Sequence, residues 1–479
     1  MNGKPEKKSV IIIFKPPAYD IMDGNGRAKN IFKHKGLMIA VGVSALMLFS
    51  AFAVAFSALS EADGVQTGDA GGGVQWRWDP SVKTLYFQKV SEGDGRMNDY
   101  GPKYPIVYPD WDEFDSKVEN IVIYSGVKYI GTFSFAGSRP DMPTTKLTVP
   151  CDLEYGRVSI DLLTNLKEIK FVGSGPMKDY SSGRSGKFDD STPWHFSQGK
   201  LEKVIFDYGI TSIPTKCFWR YFPRLASVEF PSTVTEIGDY AFYNCGYLTT
   251  GFALPRNLVS IGAYAFASCG IRTLTIPDSV TSIGPHAFDN NMSLTEVTLS
   301  KSMDSIPEYI FDGCPVLKKV NAPAVKTICK GAFNRCYALE DFDFKEGLVT
   351  IGEYAFNFTG LKSVDLPSTV KKISLGAFFN TKIESLYIPS TVDTVEGLAF
   401  GGCVMLKDVE IADGSTVLCK DSFFFCQMIE RVSIGNGVTV EPDAFKYYRF
   451  YMGGGQLGWD QLAGHTFKGS GNMVLTAVD

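Results

Sequence analysis

The sequence predicts a solenoid, a fold in which one small structural unit is stacked on copies of itself. Eleven phenylalanines recur at intervals of 22 to 24 residues through the second half of the 479-residue chain. A period this steady indicates a repeat architecture that grows by adding units rather than by enlarging one core. The eleven residues are Phe218, Phe242, Phe266, Phe288, Phe311, Phe333, Phe356, Phe378, Phe400, Phe423 and Phe445.

Three further features repeat in phase with these phenylalanines. An aliphatic residue lies five positions before each of them, alanine directly precedes eight, and cysteine follows six by three positions. A short apolar alternation comes next, as in Leu361, Val364 and Leu366, and it has the period and length of a β-strand. Proline often ends this alternation, because proline cannot donate a hydrogen bond to a sheet.

A unit of about 22 residues cannot bury a core alone, so each repeat must cover its apolar row with that of the next. Stacked parallel strands lie about 4.8 Å apart. The phenylalanines are therefore predicted to form a buried spine, with the strand aliphatics as a second apolar row. Burial removes both sets from the candidate functional residues.

The repeat unit resembles the leucine-rich repeat of BspA-like surface proteins. The resemblance is carried by Val280-Thr-Ser-Ile283-Gly284-Pro-His-Ala287-Phe288, preceded by Leu274-Thr-Ile276-Pro277, and by the other copies of this pattern. It implies a right-handed leucine-rich-repeat coil with a parallel β-sheet on its concave face. It also implies export to the cell surface and a part in adhesion or in interaction with other cells.

Degraded copies extend the pattern upstream. Phe135 belongs to a clear earlier repeat, and Ile160 and Phe196 lie at the equivalent phase, which brings the predicted total to about 14 repeats of 22 to 24 residues. The pattern Gly-x-Gly-x-Met-x-Asp-Tyr also occurs twice, starting at Gly93 and Gly173. Its first copy resembles the segment that opens the solenoid in many BspA-like proteins. The second is predicted to be an insertion of the same type.

The N-terminus predicts export. Leu37 to Leu59 are 23 residues without a charge, enough to cross a bilayer, with lysines and arginines before them and Glu61 and Asp63 after them. This asymmetry places the N-terminus in the cytoplasm and the repeats outside. An uncleaved signal anchor and a cleaved signal peptide are both compatible with the segment.

These features divide the chain into six predicted parts. The terminal parts are predicted as caps because an open solenoid end must be covered. The parts are a basic cytoplasmic leader at 1–36, a transmembrane signal anchor or signal peptide at 37–59, a flexible linker at 60–75, an N-terminal cap at 76–116, leucine-rich repeats at 117–449 and a C-terminal cap at 450–479.

Ten cysteines in an exported chain raise the question of disulfides. Six occupy one repeat phase, where the family uses cysteine or asparagine as a buried ladder, so buried free thiols are expected. Two repeats carry an additional cysteine seven residues earlier. The pairs Cys329 with Cys336 and Cys419 with Cys426 are therefore the candidates for bridges.

The sequence predicts no enzyme, no cofactor and no metal site. Its four histidines lie far apart, and none accompanies a recognisable nucleophile or ligand motif. The glycine pairs of the duplicated segment lack the third glycine and the helix of a dinucleotide site. A net charge of -5 with mixed signs gives no indication of a nucleic-acid partner.

Candidate binding residues are therefore sought on the strands. Residues on either side of the central aliphatic residue point away from the core, because side chains alternate along a strand. These positions are mixed in charge in the first repeats and more acidic in the later ones. The predicted binding residues on the concave face are Asp341, Asp343, Asp365, Tyr387, Asp408 and Glu410.

The sequence thus predicts a membrane-anchored, surface-exposed repeat protein that binds an extracellular protein or glycan in adhesion. A secreted form after signal cleavage is the alternative location. The alternative function is a structural envelope protein without a specific ligand. Saturable binding favours the first function, and self-association without binding favours the second.

Overall fold

A computed structural model describes residues 64–101, 108–135, 142–156, 159–160, 163–180, 192–197, 199–219, 221–249, 251–469 and 473–478. The predicted leader at 1–36 and membrane segment at 37–59 lie outside these ranges. Within them, helix is limited to three short 3-10 segments, Asp110–Phe114, His195–Ser197 and Trp459–Gln461. No helix in the described ranges is long and apolar enough to span a bilayer.

The described chain consists mainly of short β-strands. Those up to residue 180 are β1 (Gln66–Gly71), β2 (Val74–Asp79), β3 (Thr84–Lys89), β4 (Asn120–Ile123), β5 (Tyr129–Ile130), β6 (Lys146–Pro150), β7 (Glu154–Tyr155), β8 (Glu168–Val172) and β9 (Gly175–Pro176). Next are β10 (Lys203–Phe206), β11 (Ile210–Ile213), β12 (Ser227–Glu229), β13 (Glu236–Ile237), β14 (Ser260–Ile261), β15 (Thr273–Thr275), β16 (Ser282–Ile283), β17 (Glu296–Thr298), β18 (Ser305–Ile306), β19 (Lys319–Asn321) and β20 (Thr327–Ile328). The last are β21 (Thr350–Ile351), β22 (Lys372–Ile373), β23 (Ser385–Ile388), β24 (Thr394–Val395), β25 (Asp408–Ile411), β26 (Val417–Leu418), β27 (Arg431–Ile434), β28 (Thr439–Val440), β29 (Arg449–Met452), β30 (Gly455–Gln456), β31 (Thr466–Lys468) and β32 (Val474–Ala477).

The predicted strands form one face of a solenoid of about 14 turns, which we name the long-strand row. Strands β3, β4, β6, β8, β10 and β12 pair in parallel, as do β15, β17 and β19, and then β23, β25 and β27. Equivalent repeat positions pair with each other, as Val204 does with Val228 and Val409 with Val432. The prediction of a solenoid with stacked parallel strands is confirmed.

A second parallel row, the short-strand row, was not predicted from the sequence. It is built from strands of mostly two residues that end in the aliphatic residue five positions before each phenylalanine. Ile306 pairs with Ile328, for example, and Ile351 with Ile373. Two residues are too few to show an alternation, so the pattern identified a buried position but not a strand.

The spine phenylalanines are fully buried and stack face to face, as predicted. Consecutive ring centroids lie between 4.5 Å for Phe423 and Phe445 and 6.1 Å for Phe288 and Phe311. The turns that carry them are joined by a third ladder of hydrogen bonds, in which the Phe242 amide donates to Ala265 O and the Phe266 amide to Ala287 O. Where both strand rows are continuous, each coil is therefore bonded to the next on three sides.

The cysteine position has a hydrogen-bonding function. All six cysteines in this phase donate from Sγ to the main-chain oxygen of the previous turn's spine phenylalanine, at 3.0 to 3.8 Å. Asn291 takes the same place and donates from Nδ2 to Phe266 O at 2.9 Å. These oxygens are buried, so each needs a donor. All ten cysteines are free thiols, and the two candidate pairs are not bridged.

The described parts of the duplicated segment make matching contacts in both copies. Trp111 Nε1 donates to Ser134 O at 3.0 Å, and Trp194 Nε1 donates to Cys217 O at 2.8 Å. Tyr100 lies 5.3 Å from Trp111 and Tyr180 lies 5.4 Å from Trp194, in both cases edge to face. Trp194 also stacks on Phe218 at 5.4 Å, so this tryptophan extends the row of stacked spine rings.

The linker predicted at 60–75 is wrong from residue 66 onward. Strand β1 pairs antiparallel with β2, and the glycines between them have φ of +89° at Gly71, +60° at Gly72 and +76° at Gly73. These glycines form the turn of a hairpin, since only glycine adopts such angles freely. The hairpin is held because Trp76 and Trp78 are buried, Trp78 being stacked on Phe114 at 5.4 Å.

The chain end covers the last turn of the solenoid. Strand β31 pairs antiparallel with β27, opposing Phe467 to Val432. Strand β32 then pairs with β31 and with β29. Phe450 packs against the last spine ring, Phe445, at 5.8 Å. The edge of the long-strand row and the end of the spine are both covered.

Candidate binding surface

Tyr387, Asp408 and Glu410 lie on the exposed side of the long-strand row. Along β25 the residues alternate between exposed and buried, with Asp408 and Glu410 outward. Tyr387 lies on β23 with 51% of its surface exposed. It pairs in register with Glu410, and Asp408 pairs with Ser385 on one side and Arg431 on the other. The structure therefore brings these three predicted residues together on neighbouring strands.

Asp341, Asp343 and Asp365 are also exposed, but they do not lie on paired strands. The long-strand row is interrupted between β19 and β23, so the prediction of strands at these three residues is wrong. Phe342 and Phe344 point inward here and pack on Phe356 at 5.0 and 5.3 Å. The inward alternation of a strand is therefore kept here without pairing to the neighbouring turns.

The charges of the early turns are paired with each other. Lys203 Nζ lies 2.5 Å from Glu229 Oε1, and Lys319 Nζ lies 2.8 Å from Glu296 Oε1. The ion pair with Lys319 lowers the pKa of Glu296 below its ordinary value, chiefly through the hydrogen bond from the ammonium group. These faces present little net charge to a partner.

The later turns have an excess of acid. Asp343 pairs with Lys345, and Glu410 lies 3.9 Å from Arg431. Among the described residues, Asp341, Asp365 and Asp408 have no ion-pair partner. Residues 340–449 contain 16 acidic and 10 basic residues, whereas residues 200–339 contain 11 acidic and 13 basic ones. The net charge therefore changes from +2 to -6 along the solenoid.

A known family of repeat proteins matches the part of the chain that forms the coil. The family model described as the BspA type leucine rich repeat region, with six copies, matches residues 190–251, 211–338 and 326–450. Together these stretches cover more than half of the chain. The chain belongs to the BspA-type leucine-rich-repeat family. The family is a repeat family, and no catalytic family is indicated.

Solved structures of bacterial leucine-rich-repeat proteins are similar to this BspA-type chain. A leucine-rich repeat protein from Bacteroides ovatus is 28% identical over 50% of this chain, with a TM-score of 0.45, and the match spans 62% of that protein. A leucine rich cell surface protein from Faecalibacterium prausnitzii is 17% identical, covering 72% of this chain and 94% of its own, with a TM-score of 0.25. The pneumococcal vaccine antigen PcpA is 18% identical, covering 79% and 94%, with a TM-score of 0.38. No curated protein matches the sequence.

Histidine and cysteine have structural positions in this BspA-type coil. His286 is stacked between Tyr264 and Tyr309 at 4.5 and 4.7 Å, and its Nδ1 lies 3.0 Å from Asp289 Oδ2. Burial raises the pKa of the Asp289 carboxyl. Burial likewise raises the pKa of the Cys336 thiol far above its ordinary value, which disfavours the reactive thiolate. Among the described residues, no group of three or more His, Cys, Asp or Glu side chains could hold a metal ion.

An exposed apolar surface was missed from the sequence. Of the 14 large apolar residues exposed between 218 and 447 in the described chain, 11 lie two to five positions after a spine phenylalanine. This places them at the corner where each phenylalanine turn leads into the next long strand. We name this corner the apolar edge. It consists of Tyr221, Tyr247, Met292, Val316, Tyr337, Phe358, Val404, Met405, Phe425, Met428 and Tyr447.

The apolar edge is difficult to recognise in the sequence because its members change type and shift by up to three positions between turns. The period of the spine gives the signal that could have found it. Once the turns are aligned on the phenylalanines, nine of the eleven have at least one large exposed apolar residue two to five positions after the phenylalanine in the described chain. The sequence does not show that these apolar side chains are exposed, and only their exposure distinguishes them from core residues.

Proposed function

We propose that the chain is a cell-surface BspA-type repeat protein that binds an extracellular protein or glycan in adhesion. The observation that carries the proposal is the group of exposed carboxylates on the later turns, of which Asp341, Asp365 and Asp408 have no ion-pair partner in the described chain. A charged surface without internal partners favours binding over a purely structural role, because its charges remain available to a ligand.

The geometry of this surface suits an extended ligand. Tyr387, Asp408 and Glu410 occupy adjacent strands about 4.8 Å apart, on a scaffold fixed by hydrogen bonds on three sides. The carboxylates suit a basic patch on a protein or the hydroxyl groups of a glycan, and the exposed ring of Tyr387 can pack against either. The rigid backbone reduces the entropy lost on binding.

We further propose that the repeats face the outside of the cell. The support is the uncharged segment 37–59 with basic residues before it and acidic residues after it. Anchoring by this segment and release after its cleavage are the two forms of the proposal. Protease treatment of intact cells should remove the repeats, and fractionation of the cells distinguishes the anchored form from the released one.

Charge reversal tests the binding surface. The variant Asp365→Lys, Asp408→Lys and Glu410→Lys should weaken saturable binding to host proteins or glycans by at least tenfold, because it replaces attraction with repulsion. The matched control is Glu236→Lys, which reverses an exposed carboxylate on the short-strand row. Equal binding by the triple variant and the wild type would remove the surface from the proposal.

A structural envelope protein without a specific ligand is the second candidate. The observation that favours it is the internal pairing of charges on the earlier turns, such as that of Lys203 with Glu229. This function predicts self-association of the purified chain without saturable binding to host proteins or glycans. Sedimentation over a range of protein concentrations distinguishes the two candidates.

A further inference from the structure

Three residues of the apolar edge occupy backbone positions that disfavour them. In every phenylalanine turn from Phe242 onward, the residue two positions after the spine phenylalanine has positive φ. Phe358, Phe425 and Tyr447 stand at this position with φ of +56°, +62° and +77°. Bulky side chains are rare outliers in this region, which glycine and asparagine adopt more readily. In most other turns the same position is a small or polar residue, namely Asn244, Ser268, Asn290, Gly313, Asn380 or Gly402. The remaining bulky residue, Arg335, forms an ion pair with Asp312.

Packing does not explain these three aromatic residues. They are 41%, 45% and 58% exposed. Phe358 has Tyr337 and Phe379 at 6.4 and 6.2 Å, both edge to face. The positive-φ position on the other side of the spine is different, since there Tyr240 and Tyr264 stack at 4.9 Å and nearly parallel. The strain at the first position is therefore not balanced by burial, which favours a functional origin.

The three residues all lie in the acidic part of the solenoid. Together with Tyr337, Val404, Met405 and Met428 they form the apolar edge of residues 337–447. Aromatic residues and methionine are enriched at protein interfaces, and methionine adapts to different partners. The acidic surface starts close by, because Asp408 follows Met405 by three residues and Asp341 follows Tyr337 by four. At about 3.3 Å per fully extended residue, the two surfaces lie at most roughly 10 to 13 Å apart.

We infer that the apolar edge of residues 337–447 binds a basic amphipathic helix of a partner protein. The apolar face of the helix would lie on the edge, and its lysines or arginines would reach the carboxylates of Asp341, Asp365 and Asp408. A helix is about 10 to 12 Å wide, which spans both surfaces. Its apolar stripe repeats every 5.4 Å, close to the spacing of about 4.8 Å between solenoid turns. The inference rests on the proposed function, whose partner class it names.

Charge decides against other occupants of the same surface. A second copy of this chain would bring a region of net charge -6 against the same region, and an anionic membrane would be repelled in the same way. A basic helix is attracted to the carboxylates and buries the exposed rings. The partner would therefore be a helix-in-groove ligand. Its cationic side chains would set the orientation of the helix on the surface.

The test uses the full chain and a synthetic helical peptide of about 18 residues, which makes roughly five helical turns. Leucine forms one face of the peptide and lysine the other. Titration of the wild type with this peptide should give saturable binding that weakens with salt. Two control peptides should bind at least tenfold more weakly, one with glutamate in place of lysine and one with the same composition in scrambled order.

The decisive variant is Phe358→Asn, Phe425→Asn and Tyr447→Asn. Asparagine occupies this turn position in other repeats of the same chain, so the variant should fold with an unchanged or higher melting temperature. Binding of the peptide should fall at least tenfold. Asp365→Asn, Asp408→Asn and Glu410→Gln should cause a similar loss and a shallower salt dependence. Tyr221→Asn with Tyr247→Asn, on the edge outside the acidic part, is the matched control and should bind normally.

Equal peptide binding by the wild type and the triple asparagine variant would overturn the inference. Two other results would also overturn it. They are self-association of the wild type, or its adsorption to vesicles of phosphatidylcholine and phosphatidylserine, when the triple variant shows neither. The proposed function is judged separately. If host proteins or glycans bind saturably through the acidic surface while the peptide does not bind, the inference fails and the proposed function stands.

Discussion

At the scale of single residues, a side chain at one repeat position satisfies a buried carbonyl oxygen of the previous turn. Cysteine, asparagine and threonine differ in polarity and size, but all can donate a hydrogen bond. Cys336 reaches Phe311 O at 3.2 Å and Asn291 reaches Phe266 O at 2.9 Å, whereas Thr359 bonds Phe356 O within its own turn at 2.8 Å. The choice of residue therefore follows from hydrogen bonding as well as from volume.

The substitution Cys336→Ala tests this role. Alanine removes the Sγ donor and leaves Phe311 O with only the longer bond from the Cys314 amide, at 3.3 Å, which should lower the free energy of unfolding by about 0.5 to 1.5 kcal/mol. Cys336→Ser removes the sulfur but keeps a donor, so it should lose less. The measurement is urea denaturation of both variants. Equal losses would show that the cysteine matters for volume alone.

At the scale of structural elements, the period of the phenylalanines predicts the stacked coil, the long strands and the buried spine. The short-strand row was not predictable. A strand of two residues, such as the one that ends at Ile306, is defined only by its hydrogen bonds to adjacent turns. The hairpin at Gly71, Gly72 and Gly73 was read as a tether for a related reason. A glycine run has the same composition in a tight turn as in a flexible linker, and the buried Trp76 and Trp78 decide between them.

The candidate site was predictable only in part. Alternation along the strand placed Tyr387, Asp408 and Glu410 correctly on an exposed face. It failed for Asp341, Asp343 and Asp365, because alternation reports which side chains point inward, whereas a strand is defined by hydrogen bonds to its neighbours, which these residues lack. The apolar edge could not be found from alternation, since turn residues such as Phe358 are not periodic with the strand.

Glu154, on the short strand β7, links the two copies of the duplicated segment. Its carboxylate accepts hydrogen bonds from Arg96 and Lys178, each at 2.8 Å, and these bonds lower the pKa of Glu154 to about 2. The folded state therefore binds this proton less readily than the unfolded state. The stabilisation is present above the ordinary glutamate pKa of about 4.3 and is lost as the pH falls toward 2.

The substitution Glu154→Gln should accordingly reduce the stability of the first turns at pH 7 by at most about 1 kcal/mol, since the pair is exposed to solvent. At pH 2 most of this difference should be gone, because the pH has fallen to the folded-state pKa of Glu154. Hydrogen exchange of the amides of β6 and β8 at both pH values measures the difference. A difference that stays constant with pH would show that the carboxylate charge is not its cause.

At the scale of the whole molecule, stability is distributed along the stack while charge is not. Each turn contributes one spine ring and similar hydrogen bonds, so the coil has no preferred site by packing alone. The change from a net charge of +2 in residues 200–339 to -6 in residues 340–449 breaks this symmetry. The exposed aromatic residues at positive φ lie in the same part. Two independent features thus distinguish one part of an otherwise uniform scaffold.

The C-terminal strands cover the last turn of the solenoid, and we expect this cover to prevent association with other copies of the chain. Removing the cover tests this expectation. Truncation after Tyr448 deletes β29 to β32, which leaves the strand β27 unpaired on one side and uncovers the Phe445 ring. An open parallel edge with exposed apolar residues pairs readily with another copy. The truncated chain should therefore associate with increasing concentration, which sedimentation velocity measures. The control is Cys336→Ala, a destabilised variant that keeps its cover and should remain in the association state of the wild type. If the truncated chain folds and sediments like the wild type, β31 and Phe450 are not needed to prevent pairing at this edge.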